Sequence, residues 1–430
     1  MNQERLVIIT GVYDTLDIFA KELMKEFWML DYEVMEFNTS DMQDGLNHLL
    51  QFLQKPVKAA ITFNNLGYNM ELIAGQNMWE QLGIPCINIL MDHPFFHKAA
   101  LDKSPSNGIV LCPDRNHMKY VQRFYPNIPI VGYLPHGGIE LEDVIKKDIK
   151  DRKIDVLYAG GISKKFIESI MPDFTQFDFD AKAIADSAYE MLIDNPYLTT
   201  EETIENVILQ KGIVMTDYQL CDVLEKLRYV DMMAVSYYRE KVIHMLVEHG
   251  IHVTLFGTGW EVCNWLDNPN LDYRGRVRAN DILEYMQDSK IVLNTMTWFK
   301  DGTHDRVFNG MLAKAVAVTD SSVYMKEEFK EDELIQFELV DKADKCPKMI
   351  SQEIPNSTKT IIQEISNPTK ISPTPINQIG INDLPDKIQE LLSNPSLMQT
   401  IADKGYEKAV KGHSWKVRAR ELHTDLLSQI

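Results

Sequence analysis

The residues best suited to hold a charged ligand are gathered between Tyr273 and Asp320. A polar loop in that stretch carries Trp298, Lys300, His304, Asp305 and Arg306, and the pattern after it predicts a helix opening at about Arg306. The first N–H groups of a helix have no partner within it and carry the positive end of its dipole, so a guanidinium there completes an anion site. A phosphate is expected at this loop, with His304 able to hydrogen-bond the phosphate or a sugar. In the first half of the chain Asp92-His93-Pro94 ends an apolar run, and either Asp92 or His93 could bind or deprotonate a hydroxyl. Asn64 and Asn65 end another apolar run and could bond further hydroxyls. His136, in a Pro/Gly-rich stretch, is read as turn chemistry. His304-Asp305 has the form of a metal-binding dipeptide, but no companion His and Asp stand at supporting spacing, so no metal site is expected.

The elements that must position these residues alternate. Leu6–Gly11, Val34–Phe37, Ala59–Phe63, Pro85–Met91, Gly108–Cys112 and Ile128–Tyr133 read as buried strands, with helices expected at Asp14–Leu30 and Gly45–Leu53. A second series begins at Ile154–Ala159 and continues with Val253–Phe256, Ile291–Asn294, Ala315–Thr319 and Ile335–Leu339. Apolar strands alternating with helices predict parallel sheets covered on both faces, whose ligands sit off the carboxyl ends of the strands. The expected division is a first Rossmann-like domain over 1–138, a linker over 139–153 and a second Rossmann-like domain over 154–412. The last segment, 413–430, is expected to be a helix packing back toward the first domain, with Ser414 as its N-cap. Residues 166–227 show no strand signal and read as a helical insertion. Residues 342–382, rich in Ser, Thr, Pro and Asn, read as a surface insertion.

Bulk properties narrow the function classes. A chain of 430 residues with 45% hydrophobic and 25% charged residues suits a soluble protein of two or three domains. A net charge of -19 argues against a nucleic-acid partner, which normally needs a basic face, yet leaves room for one basic pocket. The five cysteines are odd in number and widely spread, as expected for reduced thiols in a cytoplasmic protein. No signal peptide and no transmembrane run are expected. There is no Walker A loop and no Gly-x-Ser-x-Gly elbow. The first strand-to-helix turn, Gly11-Val12-Tyr13-Asp14, is not a dinucleotide fingerprint.

Five short motifs, taken in order, carry a family resemblance. They are Asp155-Val156-Leu157-Tyr158-Ala159-Gly160, Phe256-Gly257-Thr258-Gly259-Trp260, Tyr273-Arg274-Gly275-Arg276-Val277, Arg306-Val307-Phe308-Asn309 and His413-Ser414-Trp415-Lys416-Val417-Arg418. Together they resemble the CgeB-like, spore-maturation-protein glycosyltransferases of the retaining GT-B group. The resemblance covers the chain from about residue 154 onward and is only architectural before it.

It implies a GT-B fold, α/β with two Rossmann-like domains facing a central cleft. It also implies a nucleotide-sugar donor, UDP-sugar or another, on the second domain, and a glycan, protein or small-molecule acceptor on the first. Such enzymes stabilise the departing diphosphate without a metal or cofactor, by cationic side chains and helix N-termini. Here Arg306 and Lys164 (or Lys165) would supply that charge, Gly160 and Gly161 would let the backbone approach the ligand, and Gly257 and Trp260 would form one wall. The base would lie against Tyr273, Arg276 and Val277.

Two positions depart from the family pattern. Asn309 stands where family members carry the glutamate that accepts from the donor ribose, and Lys314 replaces a glycine. An amide can still contact ribose hydroxyls through either end. A nucleotide-sugar epimerase and a non-catalytic donor-binding or spore-coat-type protein are the alternatives.

Overall fold

In the computed structural model, which describes residues 3–11, 14–142, 144–341 and 379–430, the expected α/β fold is present as two parallel six-stranded sheets. The strands of the first half are β1 (Arg5–Thr10), β2 (Glu33–Asn38), β3 (Ala59–Phe63), a short hairpin of β4 (Glu71–Ile73) and β5 (Gln76–Asn77), then β6 (Cys86–Ile89), β7 (Gly108–Cys112) and β8 (Ile130–Tyr133). Those of the second half are β9 (Ile154–Ala159), β10 (Val253–Phe256), β11 (Leu271–Gly275), β12 (Ser289–Asn294), β13 (Val316–Asp320) and β14 (Ile335–Phe337). The first sheet runs β2-β1-β3-β6-β7-β8 and the second β11-β10-β9-β12-β13-β14. The hairpin was not foreseen, because its strands lie off the main sheet and bury little.

Each sheet reverses its order once, between β1 and β3 in the first and between β9 and β12 in the second. Crevices open at such reversals, because the connecting helices leave toward opposite faces. The carboxyl ends of β1 and β3 lead to Gly11 and Asn64; that of β9 leads to Gly160. The helix Asp14–Met29 follows β1 and buries Phe19, Leu23 and Phe27, spaced four residues apart, so its apolar stripe lies on the sheet and its N-terminus points outward at the crevice.

The inserted helices are Lys164–Ile170, Ala181–Asp194, Thr200–Gln210 and Asp217–Leu227, and they lead into a long helix, Tyr229–Glu248. They share a core with the first half of the chain: Ile184, Ala188, Ile204 and Leu224 cluster with Phe95, Tyr120 and Tyr125. Arg123 reinforces the contact, reaching Glu205 at 2.7 Å and Asp217 at 2.7 Å. The insertion interrupts the second sheet in sequence and packs on the first domain in space.

The chain end also crosses over. Ser414 caps the helix Trp415–Glu421, accepting from the Val417 N–H at 3.3 Å. Trp415 stacks on Phe19 with ring centroids 4.9 Å apart. The connection between the sheets is pinned there, since Gly138 N–H donates to His413 O at 2.7 Å and Trp415 N–H donates to Gly138 O at 3.0 Å. Of the Ser/Thr/Pro/Asn-rich segment, residues 342–378 lie outside the described residues; Ile381–Asp383 forms a single 3-10 turn. Among the described residues no helix is long and apolar enough to cross a membrane. The four described cysteines are free and buried.

Candidate active site

The two reversal points face each other across a cleft of about 680 Å³. Of the residues singled out from the sequence, Asp92, Gly160, Gly161, Gly257, Arg276, Val277, His304, Arg306 and Asn309 all line it. They come from five separate segments, which only the fold brings together.

The second domain supplies the cationic end. His304 is the N-cap of the helix Asp305–Leu312, its Nδ1 accepting from the Arg306 N–H at 3.1 Å. Arg306 is buried; its Nη1 donates to Asn294 Oδ1 at 2.6 Å, and its guanidinium lies 5.5 Å from the Tyr158 ring centroid. Burial lowers the Arg306 pKa, and the neighbouring Arg239 lowers it further. A buried guanidinium with a second, partly buried one as its like-charged neighbour favours an anion beside it. Gly160 is fitted to this neighbour: a Cβ there would stand 3.3 Å from Arg306 Nη2. Gly257 has φ +133°, and a Cβ would come within 2.4 Å of Gly160 O, so the loops after β9 and β10 pack backbone on backbone.

The first domain supplies the opposite wall. Asp92 is exposed, and its Oδ2 accepts from Asn64 Nδ2 at 2.9 Å. Asn64 Oδ1 accepts from the Met91 N–H at 2.8 Å, which fixes the amide so that its NH2 faces the carboxylate. Asp14 and Thr15, at the start of their helix, line the same side. Asp14 Oδ2 accepts from Ala279 N–H at 2.8 Å, tying the two walls together.

His93, Lys164, Trp260 and Tyr273 do not line this cleft, and neither do Lys165 and Asn65, whose amide is engaged with His97 and Asn88. His93 turns away; it is buried against Phe95, ring centroids 3.6 Å apart, and its Nε2 lies 3.1 Å from Glu201 Oε2. Burial depresses its pKa well below the usual histidine value, which leaves it a neutral ring in a core shared with the insertion. Lys164 is paired with Glu240 at 2.6 Å on the outer side of its helix. Trp260 is fully buried behind the glycine loops and donates Nε1–H to Gly160 O at 2.8 Å, because a large indole fills the space beneath a loop better than it faces water. Tyr273 donates its hydroxyl proton to Glu261 Oε1 at 2.5 Å, with Gly257 O also within 3.0 Å, so it braces the loop from outside.

Asn309 lines the cleft, but both ends of its amide are engaged. Oδ1 accepts from the Ile139 N–H at 2.8 Å and Nδ2 donates to Asp305 Oδ2 at 2.9 Å. It therefore fastens the interdomain connection to the anion-facing helix. Lys314 adopts φ +56°, the left-handed conformation that glycine takes without strain, and thus occupies a glycine-like position just past a helix end.

Sequence reasoning passed over Arg239 and placed His136 only in a turn. Arg239 sits mid-helix, donates Nη1 to the Gly161 carbonyl and lies 4.7 Å from the Trp298 ring centroid. No local signal distinguishes it from a surface arginine. His136 lines the cleft, its Nδ1 accepting from Asp305 N–H at 3.1 Å.

His136, His304 and Asp305 bring potential metal-ligand atoms within 4.8 Å of one another, so His136 is the companion that chain spacing concealed. A cation there would meet Arg306, Arg239 and a helix N-terminus, all positive. Burial raises the Asp305 pKa, but the adjoining His304, His136 and Arg306 outweigh it and hold the carboxyl below its ordinary range. The local field suits an anion.

The fold has counterparts among known proteins. Residues 239–365 match the family model described as glycosyl transferase-like. The structure of Anabaena Alr3699/HepE in complex with UDP and glucose superposes with a TM-score of 0.51, covering 100% of both chains at 10% identity. That of an alpha-glucosyltransferase in complex with UDP and a 13-mer DNA containing a HMU base gives a TM-score of 0.50, covering 99% of this chain and 100% of that one at 11% identity. The search of curated proteins gives no match. The fold is thus that of the GT-B glycosyltransferases.

Proposed function

We propose that the protein transfers a sugar, a hexosyl group by resemblance, from a nucleoside-diphosphate sugar to an acceptor hydroxyl, with no resident metal and with retention. The observation that carries this reading is one cleft with a cationic, glycine-lined end on one domain and a carboxylate, Asp92, on the other. Arg306, Arg239 and the start of the helix Asp305–Leu312 would hold the diphosphate and stabilise the charge it gains on departure. Val277, Phe256 and Arg276 would hold the base, and Asp92 the acceptor hydroxyl. UDP is the first nucleotide to test, since it is the ligand of both neighbours compared. One of these carries DNA, but the charge of -19 here opposes a polyanionic acceptor. The motif order keeps the CgeB-like group as the finer family reading.

Isothermal titration of the full chain with UDP tests the proposal. Binding is expected, and Arg306→Ala should weaken it by about 10-fold, the effect of losing roughly one charge-assisted contact. Absence of binding by UDP and other nucleoside diphosphates, or an unchanged affinity in the variant, would overturn the donor-site assignment.

A further inference from the structure

A second cavity, of about 360 Å³, opens beside the cleft, and Asp92 lines both. Its walls come from four parts of the chain: Phe96 from the first domain, Phe166 from the inserted helix Lys164–Ile170, Met232 and Val235 from the long helix Tyr229–Glu248, and Trp298 from the loop after β12. Phe166 is 54% exposed, an unusual state for a phenylalanine beside a cavity, and it leaves apolar surface uncovered. Arg239 also lines the cavity, its guanidinium drawn toward the Gly161 carbonyl and the Trp298 ring. The other charged groups lining the cavity are carboxyls: Asp92 at the seam, and Asp231, which accepts from Thr200 Oγ1 at 2.7 Å.

We infer that this cavity is the acceptor subsite and that it takes a neutral molecule, or the end of one, joining a flat apolar ring to a free hydroxyl. The inference rests on the glycosyl-transfer reading above. A volume near 360 Å³ accommodates one or two rings, not a polymer segment. The ring would lie among Phe96, Phe166 and Trp298, and the hydroxyl would reach Asp92 at the seam with the donor cleft. With two carboxyls, Asp92 and Asp231, against the one guanidinium of Arg239 in its lining, the cavity would repel an anionic acceptor. In the step itself, the acceptor oxygen bonds to the anomeric carbon and the bond from that carbon to the β-phosphate oxygen breaks. Its electron pair stays on the nucleoside diphosphate, and the hydroxyl proton, held in place by Asp92, leaves on the departing phosphate. One wall, Phe166, comes from an inserted helix, so that part of the specificity belongs to this chain and not to the fold.

Three probes with the same sugar hydroxyls test the idea on the full chain, with and without saturating UDP: methyl, 4-nitrophenyl and 4-carboxyphenyl β-glucoside. Burying an aromatic ring is expected to make the 4-nitrophenyl compound bind at least about 10-fold more tightly than the methyl one. It should also exceed the anionic 4-carboxyphenyl compound. Val235→Trp, which fills the cavity, should abolish that preference while UDP affinity stays unchanged, and Phe166→Ser should reduce it. Equal binding of the methyl and 4-nitrophenyl compounds, or a preference that survives Val235→Trp, would overturn the inference. UDP binding without an aryl preference would sink the subsite alone. No nucleotide binding, whatever the glucosides do, would sink the transfer reading.

Discussion

Replacing Asn309 by glutamate separates two roles for one position. If the position serves the donor ribose, as in the family the chain resembles, a carboxylate should improve nucleotide binding. The geometry points the other way. Asn309 Nδ2 donates to Asp305 Oδ2 at 2.9 Å while Oδ1 accepts from Ile139 N–H at 2.8 Å, and the residue is 6% exposed. A carboxylate can only accept, so the bond to Asp305 is lost, worth roughly 1.5–3 kcal/mol for a charged acceptor. Two carboxylates about 4 Å apart at an effective dielectric of about 20 repel by about 4 kcal/mol. Proton uptake by the new carboxyl limits that penalty, so a net loss of about 2–4 kcal/mol is expected at pH 8. At pH 5 the bound proton restores a donor and the loss shrinks. Thermal unfolding of wild type, Asn309→Glu and Asn309→Ala at the two pH values reads this out. The glutamate variant should melt on the order of 5 °C lower at pH 8 and recover part of the difference at pH 5. The alanine variant should show a deficit independent of pH. A glutamate variant as stable as wild type at pH 8, with tighter UDP binding, would refute the reasoning and return the position to the ribose.

Two further outcomes follow from buried or strained groups. Asp320 is buried and accepts from Met296 N–H at 2.7 Å, and burial pushes its pKa from 3.8 up to about 7. The folded state holds this proton where the unfolded chain has lost it, so the stability it contributes is full below about pH 4 and is lost as pH rises toward 7. Asp320→Asn cannot lose a proton; its melting temperature should therefore rise relative to wild type between pH 4 and pH 7, and a constant difference would contradict the assignment. Lys314→Gly should raise the urea midpoint by up to about 1 kcal/mol of stability, by relieving a left-handed lysine. The Asp403 pair at 3.2 Å is too exposed to offset much of that, and a lowered midpoint would show that it does.

The main strands of both sheets were legible because burial on two faces leaves continuous apolar runs such as Leu6–Ile9 and Ile291–Leu293, whereas the helix Arg115–Phe124 was not read. The helix start at Asp305 was legible from its polar loop, a local signal. The hairpin at Glu71–Asn77 was not, being short and exposed. Nor could the sequence say which side of a strand end an outward side chain takes: Asp92 faces the cleft, whereas His93, one residue on, stacks on Phe95 and borders the neighbouring cavity instead.

What the sequence determined by itself was the periodic part: two doubly wound sheets, their turns, and the glycines and cations at strand ends. Alternation and capping are local, and the chain repeats them often enough to be read. Only the tertiary structure decided which of these residues share a cavity. Arg239 meets Gly161 across 78 residues, Asn309 fastens Ile139 across 170, and Asp14 reaches Ala279 across 265. Such pairs depend on how two domains and an inserted bundle pack, a property of summed apolar burial that leaves no pattern in the neighbourhood of either residue.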